Sequence, residues 1–120
     1  MESILDQFKI KIDTLHSACD GTLPPDIQNE VGNQINLFIN QFNTLTRLQS
    51  KYGDALFQAC QNEIEELIAI CSDCSSDYQT ENAIELVNKV RENSVRLNIL
   101  QQRIAGKVFK IKPSSNSLAT

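Results

Sequence analysis

Tryptophan is absent from this chain, glycine and proline are scarce, and aromatic residues make up only 6% of it. A β-sandwich or barrel needs frequent turn residues, so this scarcity points to helices. Histidine occurs once, at His16, and there is neither a glycine-rich phosphate loop nor a Glu-x-x-His pair. Those gaps argue against nucleotide hydrolysis on a P-loop and against a di-iron helical bundle. The acid pair Glu65-Glu66 is adjacent in sequence, so on a helix its carboxylates diverge. We therefore expect neither an enzyme nor a cofactor.

Long apolar runs are missing too. The longest, such as Leu67 to Cys71, falls far short of a membrane span. Asp6, Lys9, Lys11 and Asp13 break up any signal-peptide pattern near the amino terminus. With no leader expected, Cys19, Cys60, Cys71 and Cys74 are read as reduced. This reading expects an intracellular setting, cytoplasmic or nuclear.

What the sequence does hold is helical periodicity over 120 residues, enough for one domain with its own core. We place that domain at 1–112 and read 113–120 as a disordered serine-rich tail. Val31 to Thr46 contains no charged residue. Ile35, Phe38, Phe42 and Leu45 share one helical face, while Asn29, Asn33, Asn36, Asn40 and Asn43 form a stripe on roughly the opposite face. Leu37 and Ile39 fall on the flanks between them. A lone surface helix would carry Lys and Glu at these positions, so this helix is expected to be central and touched on several sides.

The remaining helices follow from the same spacing. Leu5, Phe8, Ile12, Leu15 and Cys19 form a seam on a first helix capped by Ser3, despite a strand-like alternation over Phe8 to Ile12. Gly21, Pro24 and Pro25 mark the clearest break. Gly53 followed by Asp54 reads as a tight turn or as one costly glycine inside a continuous rod of about 70 Å. Leu56, Cys60, Ile64, Leu67, Cys71 and Cys74 line the third segment, and a turn is expected over Ser72 to Asp77. Ser76 then caps a last helix whose apolar side is Ile84, Val87, Val90, Leu97, Leu100 and Ile104, ending at Gly106. The fold class expected is all-α, an antiparallel up-down bundle of three to four helices with coiled-coil-like seams. The tetrapeptide Phe-Lys-Ile-Lys, at 8–11 and again at 109–112, is read as coincidence.

Charge is uneven. The formal net charge is −4, yet between Lys89 and Lys112 seven cations face Glu92 alone. The acidic total argues against nucleic acid as a partner. Either Arg103 and Lys107 pair with Glu63, Glu65 and Glu66 across an α-hairpin, or the segment carrying Arg96, Arg103, Lys107, Lys110 and Lys112 docks on an acidic partner or anionic membrane. His16 with Cys19 and Cys71 with Cys74 form two pairs of zinc-ligand spacing, although cysteines at seam positions are more simply core residues. The leading expectation is a non-enzymatic scaffold or adaptor subunit, homo- or hetero-oligomeric, contacting protein partners through Ile35, Leu37, Phe38, Ile39 and Phe42. A peripheral membrane or polyanion-binding module is second, and a zinc-stapled bundle third.

Overall fold

The structure is a computed structural model that describes residues 3–19 and 23–111. The expected tail over 113–120, Lys112 and the Gly21 helix end lie outside the described residues. Among the described residues four helices pack on one another: α1 (Ile4–Ala18), α2 (Pro25–Tyr52), α3 (Asp54–Asp77) and α4 (Ala83–Lys110). The all-α bundle expected from the periodicity is what forms, with no strand among the described residues.

Each start has a local cause. Ser3 accepts from the Asp6 backbone amide while the Asp6 carboxylate accepts from Ser3, a reciprocal capping box. Phe8 to Ile12 is helical because Phe8 and Ile12 are buried on the same seam. Pro25 opens α2 where its missing N–H costs nothing. At Gly53, φ is +61° and ψ is −138°, a backbone conformation open mainly to glycine, so the chain reverses there. The longest dimension of the molecule is 57 Å, too short for the fused rod. Gly53 is therefore the turn.

The helices alternate in direction. Glu63, Asp73 and Asp77 on α3 pair with Lys107, Arg96 and Asn93 on α4, the order that an antiparallel hairpin requires. Gln79, just past α3, reaches the Ala18 carbonyl at the end of α1, so α1 and α3 run together. Every pair of helices touches except α1 and α4, which lie across the bundle from each other.

Three expectations are corrected. First, α2 touches α1, α3 and α4 as expected, but α3 is the more enclosed helix: Leu56, Cys60, Ile64, Leu67, Ile70, Cys71 and Cys74 are all fully buried. The asparagine stripe of α2 faces water along its length. Second, Ser72 to Asp77 is helix, not turn. Cys74 and the following Tyr78 are buried, and Ser75 back-bonds to the Cys71 carbonyl. Packing of those two side chains outweighs the weak helix propensity of the serines. The cap of α4 accordingly moves from Ser76 to Asn82, whose side chain accepts from the Glu85 amide at 3.0 Å. Third, α4 runs through Gly106 to Lys110. A mid-helix glycine costs about 1 kcal/mol, which the packing of Val108 and the Lys107–Glu63 pair offset. The inward face of α4 carries Leu86 and Asn93, while Ile84 stands 76% exposed.

Candidate functional site

Among the described residues the interior is nearly all apolar, with two polar exceptions. Gln34 sits among Val31, Ile35 and Phe38, and Asn93 sits between Val90 and Leu97. The Gln34 carboxamide is fully partnered. Its nitrogen donates to Ser94 Oγ at 2.8 Å and to the Val90 carbonyl at 3.5 Å, both on α4. Its oxygen accepts from the Tyr78 hydroxyl and from Cys74 Sγ. One side chain of α2 thereby ties together α3, the residue that follows it, and α4. Asn93 donates to Asp77 and accepts from Arg96, which also binds Asp73 at 3.1 Å. Among the described residues no buried side-chain polar atom lacks a partner. Both residues fall at seam spacing in the sequence, but the apolar count passed over them.

This polar interior is structural in chemistry. Burial, and after it Cys74, pushes the Cys71 thiol up to about 12. Burial likewise raises Cys74 to about 12, opposed by its bond with Tyr78. Neutral thiols of this kind are neither nucleophiles nor ready metal ligands near pH 7. The zinc set His16, Cys19, Cys71 and Cys74 is not assembled: no metal-holding group of three His, Cys, Asp or Glu forms among the described residues. The cause is register. Gln79 is level with Ala18, and Lys11 is close enough to lower the Cys71 pKa. Cys71 and Cys74 therefore lie beside the middle of α1, short of Cys19 at its end, and both are buried whereas His16 is exposed.

The expected partner residues separate into two groups. Ile35 and Phe38 are buried in this chain's own core, Phe38 edge-on to Phe8 at 6.3 Å, and offer nothing to a partner. That part of the expected contact set is corrected: one apolar face cannot serve the core and a partner at once. Phe42 is half-buried against Phe8. Leu37 and Ile39 are exposed and line different grooves. Ile39 and Phe42 border a cleft of about 430 Å3 with Lys9, Asp13 and His16 of α1. Leu37 borders one of about 510 Å3 with Val90, Arg91 and Val95 of α4.

Sequence reasoning missed the outer side of α4. Val95, Ile99 and Phe109 are 57%, 47% and 90% exposed, and with Ile84 they lie opposite the buried seam of that helix. A second apolar phase under the core seam was the available signal. The basic segment is partly spent inside the molecule. Lys107 binds Glu63 at 2.8 Å, as the hairpin reading expected, whereas Arg96 binds Asp73, a pair that reading did not name. The Lys107 hydrogen bond is the main cause that holds the Glu63 carboxyl below its ordinary range, with Arg103 adding to it. Lys110 is exposed at the end of α4, and Lys112 lies outside the described residues. No helix among the described residues is long and apolar enough to cross a membrane. No protein-family model, curated protein or solved structure matches the chain.

Proposed function

We propose that this protein is a non-enzymatic scaffold or adaptor subunit that assembles with protein partners inside the cell through the adjoining outer faces of α2 and α4. The observation that carries this reading is the groove between α2 and α4 in which Leu37 and Val95 are apolar and Glu30, Asn33 and Arg91 form a polar rim, with exposed Ile99 one turn further along α4. Scattered exposed apolar residues need no explanation, but a contiguous rimmed patch marks an interaction surface. The buried polar centre supports it, because a bundle pinned by Gln34 presents that surface on a fixed frame. Leu37→Glu tests the proposal. It places a charge in the groove without touching the core, so helicity should persist while association is lost. Unchanged solution mass and unchanged partner capture by the variant would refute the assignment of this face.

A second reading has one specific observation behind it. Phe109 is 90% exposed beside Lys107 and Lys110, the pattern of an anionic-membrane contact. Lys107 already binds Glu63, which leaves less charge for a lipid surface. Binding to phosphatidylserine vesicles that falls steeply with salt would favour this reading over assembly.

A further inference from the structure

We infer that the occupant of the outer face of α4 is α4 of a second copy of this chain, packed antiparallel about a twofold axis near Leu97. This rests on the assembly reading above and names the partner.

The spacing of exposed residues is self-complementary. Val95 and Ile99 stand two positions to either side of Leu97, and Ile84 and Phe109 stand thirteen and twelve positions away. Laid antiparallel, Val95 therefore meets Ile99 of the other copy at the centre, and Ile84 meets Phe109 at each end. The charges follow the same symmetry. Glu92 and Arg103 lie five and six positions from Leu97, and Glu85 and Lys110 lie twelve and thirteen. All four are exposed, and at 100° per residue they share the flank of the apolar stripe that faces α3. In an antiparallel helix pair like flanks meet, so Glu92 comes opposite Arg103 and Glu85 opposite Lys110, each twice. Arg96, the flank cation closest to the axis, is already bound to Asp73. On the other flank Arg91, six positions from Leu97, meets the uncharged Gln102, five positions from it. Lys89 and Lys107 lie further round the α3 flank, but Glu92 neighbours the first at 4.0 Å and Glu63 binds the second at 2.8 Å, so the symmetric pairing sets no unpaired like charges against each other.

The contact is modest in size. From Ile84 to Phe109 the helix is about 37 Å long, with four apolar anchors per copy. Such a strip, with Leu37 at its margin, falls near or below the roughly 1,200 Å2 of the smaller specific interfaces, so a micromolar Kd is expected.

Sedimentation equilibrium of the full chain, diluted from about 1 mM to about 1 µM, reads the association directly. The wild type should pass from two copies to one across this range. Val95→Glu with Ile99→Glu should be monomeric throughout, with unchanged circular dichroism because both side chains are outside the core. Glu92→Arg alone should weaken the dimer about tenfold, and the swap Glu92→Arg/Arg103→Glu should restore it, since the opposite charges then meet again. A wild type that stays monomeric overturns the inference, as does a dimer indifferent to Val95→Glu/Ile99→Glu or a swap that fails to rescue. A monomer that phosphatidylserine vesicles retain through Phe109 also overturns it, in favour of a lipid occupant. In each of those cases the assembly reading is decided separately, by whether Leu37→Glu abolishes partner capture.

Discussion

Replacing Gln34 by leucine keeps the side-chain volume close to constant and deletes the carboxamide at the centre of the bundle. The Tyr78 hydroxyl then loses its acceptor in a site where Tyr78 is 2% exposed, and Ser94 loses the donor from α2. A buried hydroxyl without a partner costs about 1–3 kcal/mol, and the weaker Cys74 contact adds little. Leucine recovers part of this by burying apolar surface. We expect a net loss of about 1–2 kcal/mol, which lowers Tm by roughly 4–8 °C at this chain length. The sharper measurement is a double-mutant cycle with Tyr78→Phe, read by urea denaturation. Tyr78→Phe alone leaves the Gln34 oxygen with only the Cys74 thiol. In the double variant neither polar group remains, so it should be more stable than the sum of the singles by about 1 kcal/mol or more. Strict additivity would show that Gln34 and Tyr78 do not depend on each other and would refute the central role given to this bond.

Gly53→Ala should destabilise by about 1–3 kcal/mol because of its positive φ, whereas Gly32→Ala, inside α2 with open space at its Cβ, should stabilise by about 0.5–1 kcal/mol. Urea midpoints for the two variants that moved in the same direction would contradict the turn. Cys71 and Cys74 have folded-state pKa values raised to about 12, so the folded chain holds their protons where the unfolded chain releases them. Stability from this source is complete below the ordinary thiol range near 9 and is lost as pH rises from there towards 12. Thermal melts should therefore fall across that window, and less so in Cys71→Ala/Cys74→Ala compared with its own value at pH 7. At acid pH the sign reverses for Glu63. Its lowered pKa contributes stability above the ordinary glutamate range that fades as pH drops through the folded value. In Lys107→Met that acid-side slope should shrink.

Much of this architecture was already legible in residue spacing. Leu5, Phe8, Ile12 and Leu15 on α1, and Leu56, Cys60, Ile64 and Leu67 on α3, recur at helical steps and are all buried. A helix that must bury one face declares it through period, and period is local. At Gly53 the sequence allowed either a turn or a continuous helix, and the positive φ, open mainly to glycine, decides for the turn. Leu37 and Ile39 were placed on the flanks of α2 by angle alone, and their partial exposure agrees.

Whatever depended on which helix lies beside which had to wait for the tertiary structure. Nothing within Ser72 to Asp77 reveals that Cys74 and Tyr78 have a glutamine of α2 waiting for them, so a polar stretch read as a turn is helix. The two cysteine-bearing pairs have ligand spacing, but the offset of α1 against α3 keeps them apart. Ile35 and Leu37 are similarly apolar and two residues apart, yet one is enclosed and the other reaches a groove. Periodicity specifies the faces of a helix, and only the packing of neighbours specifies which faces are left for another molecule.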